Sequence, residues 1–327
     1  MKAIEFYKFG PPEVFESVEV NEPTPDEHDV IIKTYATSIN TVDVVYRNGT
    51  KAFFGLSRIG IGIRKPKIHR LGFDIAGRIV KIGENVTDFK IGDRVYGGAR
   101  SGANAEFAKA KDNKIAMMPS NMSYAEAGVV PVAGLTALQG LRDKGNIEEG
   151  EKVLIYGASG GTGTFAVQIA KSYGADVTGV ASGKNQSLVK DLGADKFLDY
   201  KRVDFTKEQV KYDLIFDAVG KAPLSRWKKA LKSDGIYVNV GSPQMPMIRF
   251  YSRVFWNRFR EQKIYSFLTQ YVPEDLQYLS KLSEENKLKT VIDKTFKLDE
   301  IIKAHRYYET RRTAGKISVI VKKEKRQ

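Results

Sequence analysis

The residues with the clearest capacity for chemistry are glycines. Ala158, Gly160 and Gly163 occupy the three positions of a G-x-G-x-x-G pattern, with alanine at the first. Around them, residues 154–185 read LIYGASGGTGTFAVQIAKSYGADVTGVASGKN. In such a turn Gly160 lets the backbone approach a pyrophosphate, and Gly163 lets the following helix pack on the strand. Ser159, Gly160, Gly161, Thr162 and Gly163 bring N–H groups to a helix start, where the helix dipole favours anionic oxygens. A glycine turn that binds nothing is the alternative. The context argues against it, because strand, turn, helix and second strand follow one another at the required distances.

The end of the second strand carries the next signal. NAD-binding chains place a ribose-binding acid about 20 residues beyond the glycines. Here Ser182 lies 19 residues after Gly163 and is followed by Gly183, Lys184 and Asn185. An acid would repel a 2′-phosphate, whereas Ser182, Lys184 and Asn185 would donate hydrogen bonds to one. A charged hydrogen bond contributes roughly 1.5–3 kcal/mol, about ten- to a hundredfold in affinity. The predicted cofactor is therefore NADPH, with a solvated loop lysine as the alternative. Tyr200, which follows Leu198 and Asp199, reaches toward the same ribose.

These residues need a scaffold, and the order of elements supplies one. The first 120 residues are β-rich, with strand composition at 30–35 and 77–82 and turns at 83–85 and 92–93. Residues 123–141 read as a helix opened by Ser123 with Glu126 at capping-box spacing. Strands at 152–156, 176–181, 196–199, 212–217 and 235–240 then alternate with helices at 160–173, 185–192 and 223–231. That alternation predicts an α/β fold with a doubly wound parallel sheet. Further helices are expected at 248–260, 273–285 and 297–309, with strands at 263–268 and 316–321.

Composition removes several classes of function. The chain has 327 residues and no cysteine, which excludes disulfides, thiolate catalysis and cysteine-containing zinc sites. The three histidines, His28, His69 and His305, show no ligand spacing, so no metal is expected. No signal peptide or 18-residue apolar run is evident, and the expected location is cytoplasmic. The net charge of +14 is scattered, apart from a basic tail at 321–327. A solvated basic surface is the expected reading, with no nucleic-acid partner.

Further segments carry a family likeness. They are Gly10-Pro11-Pro12-Glu13-Val14, Ser38-Ile39-Asn40-Thr41-Val42-Asp43, Leu71-Gly72-Phe73-Asp74-Ile75-Ala76-Gly77, Phe89-Lys90-Ile91-Gly92-Asp93-Arg94-Val95, Ala133-Gly134-Leu135-Thr136-Ala137 and Asp217-Ala218-Val219-Gly220. Through these the chain resembles the medium-chain dehydrogenase/reductase superfamily, in its zinc-independent quinone oxidoreductase branch. The likeness is strongest to the group containing the reticulon-interacting mitochondrial protein and the chloroplast-envelope quinone oxidoreductase homologue. It implies a GroES-like β-rich catalytic domain over residues 1–120 and 269–327 and an NADP-binding Rossmann domain over 121–268. It also implies a homodimer and the reduction of quinones or of the activated C=C of α,β-unsaturated carbonyls. Zinc-using members have a histidine where Phe73 stands and a cysteine near Asn40, so the chain departs from them.

By the same match Asn40 lies beside the nicotinamide as a hydrogen-bond donor, or else ties a loop to the backbone. Asp43 lines the cleft or holds Arg47, and Tyr46 is a candidate phenol donor. Thr136, Val219, Gly220, Val240 and Gly241 are expected to flank the nicotinamide and its ribose. Residues 51–70 and 245–259 mix apolar and basic side chains and are candidates for the substrate pocket. They serve equally as packing loops, an oligomer contact or a peripheral membrane contact, the last a minority reading. Competing functions are alcohol oxidation and a non-catalytic protein that senses NADPH or binds nucleic acid.

Overall fold

The computed structural model of the chain describes residues 1–49, 61–62, 64–100, 102–221, 224–241 and 261–324. The helix expected at 248–260 and the segment 245–259 lie outside them, as does most of 51–70.

Two sheets organise these residues. Lys2–Glu5 (β1) pairs antiparallel with Glu16–Glu19 (β2) as a small flap. The larger mixed sheet is built on Asp29–Ser38 (β3), in which Val30, Ile32 and Ala36 are fully buried. Asp74–Ile82 (β4), Arg94–Gly98 (β5), Phe107–Lys111 (β6) and Ile115–Met117 (β7) join it from the first part of the chain. Ile292–Lys297 (β14) and Lys316–Ile320 (β15) join it from the last part, giving the order β14-β15-β3-β4-β5-β7 with β6 paired to β3.

The second sheet contains Lys152–Tyr156 (β8), Asp176–Ala181 (β9), Lys196–Asp199 (β10), Tyr212–Asp217 (β11), Leu231–Asn239 (β12) and Lys263–Tyr265 (β13). All its pairings are parallel, in the order β10-β9-β8-β11-β12-β13. Strands such as β8 are apolar without alternation because helices cover both faces. The strand order reverses between β8 and β11, the point at which doubly wound sheets bind ligands.

The helices are Thr41–Asn48 (α1), Tyr124–Ala127 (α2), Pro131–Gln139 (α3), Gly161–Ser172 (α4), Gln186–Asp191 (α5), Leu224–Ala230 (α6), Pro273–Glu284 (α7) and Ile301–Glu309 (α8). The single helix expected over 123–141 is split. The Ser123–Glu126 capping box opens α2 as predicted, but Gly128 closes it and Pro131 begins α3. Gly128 also packs on β3: a Cβ there would meet Ala36 Cβ at 3.0 Å. The strand expected over 263–268 stops at Tyr265. Sequence analysis gave no helix at α1, whose N-terminus is a second capping box formed by Asn40 and Asp43.

The chain ends are tied together by Arg47. This α1 residue is fully buried. It donates to Gly10 O at 3.1 Å, His305 Nδ1 at 2.8 Å, Asn48 Oδ1 at 2.9 Å and Glu309 Oε1 at 2.5 Å. The expectation that Asp43 holds Arg47 is therefore corrected, since Asp43 points into the α1 cap instead. A guanidinium can only donate, so His305 Nδ1 accepts. Burial, followed by the Arg47 charge, pushes the imidazole down to about 3, and His305 stays neutral. Arg47→Met should cost about 3 kcal/mol, because it leaves several buried acceptors unpaired. Urea unfolding checks this, and a loss under about 1 kcal/mol would mean that water replaces the guanidinium.

Candidate active site

The glycine turn has the form a pyrophosphate needs. Gly157 adopts φ +85° as β8 ends, and Gly160 is the N-cap of α4 without any side-chain cap. The N–H groups of Thr162 and Gly163 in the first turn are therefore left for an external anion, while Gly160 is bridged to Gly315. A Cβ at Gly163 would lie 2.1 Å from Gly157 O, so the close packing of helix on turn requires glycine. A Cβ at Gly160 would meet Gly157 O at 3.3 Å, and nothing else lies within 4 Å. The backbone is thus approachable at that residue. Ser159 is held from the side by Asn185, whose Nδ2 donates to Ser159 Oγ at 2.8 Å.

Beyond β9, Ser182 leads into a 3-10 turn over Gly183–Asn185 in which Lys184 is exposed. Tyr200 is half exposed, and its N–H bonds to Ala181 O at 3.2 Å. Asn185 thus braces the phosphate turn, while Ser182, Lys184 and Tyr200 stand at the strand ends.

On the other side of the turn is a buried polar cluster. Gly315 N donates to Ser159 O at 2.8 Å, joining the start of β15 to the glycine turn. The Lys316 stem crosses the helix start, where a Cβ at Gly161 would lie 2.8 Å from Lys316 Cδ. Its ammonium donates to Asn40 Oδ1 at 2.5 Å and Ile39 O at 3.4 Å, and lies 3.7 Å from Asp74 Oδ2. Asn40 Nδ2 donates to Ser38 Oγ at 3.1 Å and Asp74 Oδ2 at 2.9 Å. Both amide hydrogens are committed inside the protein. A donor role for Asn40 toward a substrate requires one of those bonds to open.

Asp74 also accepts from Ser38 Oγ at 2.5 Å and, through Oδ1, from Val132 N at 2.8 Å in the first turn of α3. Asp43 accepts from Asn40 N at 2.8 Å and Gly72 N at 3.0 Å. Burial pushes its carboxyl up to about 7, against the two N–H donors and with help from the Asp74 charge. Burial likewise pushes the Lys316 ammonium down, against the pull of Asp74 and Asp43. Tyr46 lies edge-on to Phe73 at 5.2 Å.

The expected nicotinamide flank converges on the sheet's reversal point. A Cβ at Gly157 would meet Val219 Cγ2 at 2.7 Å, and one at Gly241 would meet Val219 N at 2.2 Å. Asp217 Oδ1 holds the N–H groups of Val219 and Gly220, each at 2.8 Å. Val240 N bonds to Asp217 O at 2.9 Å. Thr136, on α3, bonds to Val132 O and Thr269 Oγ1, each at 2.6 Å. Sequence reasoning missed three members of this region. Lys316 had a signal, a lysine opening an otherwise apolar strand after glycine. Asp74 similarly opens the apolar β4. Tyr271, whose hydroxyl donates to Phe73 O at 3.1 Å, had none.

Comparison with known proteins agrees with this architecture. The alcohol dehydrogenase GroES-like domain family matches residues 26–140, and the family described as zinc-binding dehydrogenase matches residues 192–319. The chloroplast envelope quinone oxidoreductase homolog of Arabidopsis thaliana is 34% identical, over 90% of each chain. The chain belongs to the quinone oxidoreductase branch of the medium-chain dehydrogenase/reductase superfamily. The 2-methylene-furan-3-one reductase of Solanum lycopersicum is 32% identical, over 98% of this chain and 79% of that one. The Escherichia coli quinone oxidoreductase, solved in complex with NADPH, superposes with TM-score 0.83 at 25% identity, covering 98% of this chain and all of that one. This quinone oxidoreductase relative is thus an oxidoreductase enzyme with a GroES-like domain, a Rossmann domain and a nicotinamide cofactor acting on a small molecule. The non-catalytic reading is set aside. Among the described residues no helix is long and apolar enough to cross a membrane.

The raised Asp43 carboxyl makes stability depend on pH in this oxidoreductase. Between about pH 4 and pH 7 the folded chain holds a proton that the unfolded chain has lost. Stability should therefore fall as pH rises through that window, by on the order of 4 kcal/mol, and level off above it. Asp43→Asn, neutral throughout, should flatten this part of the profile. Urea titrations at several pH values test it, and an unchanged slope in the variant would assign the dependence to other groups.

Proposed function

We propose that this chain is a zinc-independent reductase that uses NADPH to reduce quinones or the activated C=C of α,β-unsaturated carbonyls. The observation that carries the reading is the seam between the phosphate turn and the buried cluster, where Gly315 bonds to Ser159 and the Lys316 stem lies on Gly161. A dinucleotide whose pyrophosphate rests on Gly160–Gly163 would extend toward Asn40. Two relatives, one a furanone reductase and one a quinone oxidoreductase bound to NADPH, support the same chemistry.

The cofactor, when bound, would supply the hydride; the protein supplies binding, orientation and charge. Thr136, Val219, Gly220, Val240 and Gly241 would shape the nicotinamide flank. Asn40, Asp43 and Tyr46 are the proposed catalytic residues. Asn40 is fixed by Lys316, whose positive charge would favour electron density arriving on an acceptor oxygen. Asp43 changes protonation near neutrality and stands in the same cluster. Tyr46 adds a phenol beside Phe73.

The residues present support reduction without zinc. Phe73 cannot ligate and packs on Tyr46. The chain has no cysteine. His28 pairs with Asp112, His69 packs at a tilt against Tyr7 and His305 serves Arg47. A homodimer and a cytoplasmic location belong to the same proposal, and light scattering addresses the first.

Paired fluorescence titrations with NADPH and NADH, repeated with a quinone and a short enal, test the reading. Tight NADPH binding with acceptor-dependent oxidation is expected. Binding without oxidation by any acceptor would overturn the reductase. Lys184→Ala should weaken NADPH about ten- to a hundredfold and NADH far less; equal losses would show that this lysine does not read the phosphate.

A further inference from the structure

The acid absent from the end of β9 is present on the strand beside it. β10 runs parallel to β9, and its last residue, Asp199, stands opposite Ala181. Its carboxylate lies against the backbone of Gly183, where a Cβ would sit 2.6 Å from Oδ2 and 3.3 Å from Cγ. Gly183 is not among the positive-φ glycines, and a side chain there would have to displace this carboxylate. Lys201 N donates to Oδ1 at 3.0 Å and fixes the carboxylate in place. Arg202 Nε is 3.8 Å from Oδ2, but its side chain is 86% exposed against 16% for Asp199. An exposed pair at that distance contributes little and does not neutralise the acid.

Gly183 lies between Ser182 and Lys184, the residues read above as phosphate ligands. A carboxylate at this corner of a Rossmann sheet accepts a hydrogen bond from the adenosine ribose hydroxyls and repels a 2′-phosphate. We propose that Asp199 is a specificity-determining residue of the cofactor site. It accepts a hydrogen bond from the 2′-hydroxyl of NADH and narrows the margin by which Lys184 favours NADPH. The proposal rests on the reading that the glycine turn binds a nicotinamide dinucleotide.

Asp199→Asn tests it, because the amide keeps an Oδ1 acceptor for Lys201 N while removing the charge. Fluorescence titrations of the wild-type and variant chains with NADPH and NADH should show the NADPH:NADH affinity ratio rise about tenfold in the variant, with NADH weakened. An unchanged ratio, including equal losses for both cofactors, would overturn the proposal and leave Asp199 a turn-forming residue. If this variant does not fold, Asp199→Ser also retains an acceptor and makes the same comparison. Wild-type binding of neither cofactor would instead overturn the parent reading, and this one with it.

Discussion

The Asp74 carboxylate is fully buried, and much of the molecule is arranged around it. Burying one charge costs several kcal/mol unless partners meet it. The partners come from distant parts of the chain: Ser38 at the end of β3, Asn40 at the cap of α1, the first turn of α3 and Lys316 at the start of β15. The helix dipole of α3 adds to the balance, since its N-terminus carries partial positive charge. Lys316 in turn must be buried to reach its partners, and its stem runs over Gly161. The same constraint therefore fixes the mixed sheet against the helix that begins the phosphate turn.

That turn depends on missing side chains. Gly163 lets α4 close on Gly157, and Gly241 lets the end of β12 cross the backbone at Val219. Both contacts lie where the strand order reverses, and each brings two stretches of backbone into close packing. The seam from Gly315 to Ser159 then joins the polar cluster to the glycine turn. Asn40 and the glycine turn come from distant parts of the chain, and the β15 contact is what joins them.

Charge acts locally in this chain. The net charge of +14 is scattered along the sequence, whereas the described groups near the glycine turn and the buried cluster are a few cations set among acids. Lys316 faces Asp74, and Lys184 stands one residue from the glycine that covers Asp199. In the buried pair low dielectric makes the balance strict. At the exposed corner around Lys184, solvent and salt soften it.

The parallel sheet, the glycine turn and the Ser123 cap were legible in the sequence, because each is a local pattern: apolar runs alternating with helical periods, glycine spacing before a helix, and a serine three residues before a glutamate. The lack of cysteine was equally plain. The broken helix after Gly128 was not read, because its cause lies partly in contact with Ala36 on another strand. The polar cluster could not be read at all from spacing, since Lys316 and Asn40 are 276 residues apart. Asp199 carried no signal in the sequence; the register of β10 sets it beside Gly183. Periodicity and turn chemistry act over a few residues, so sequence alone determined most of the parallel sheet's elements and the glycine turn. Which buried charges meet, and which glycine makes room for which carboxylate, follows from sheet order and desolvation, and only the tertiary structure decided it.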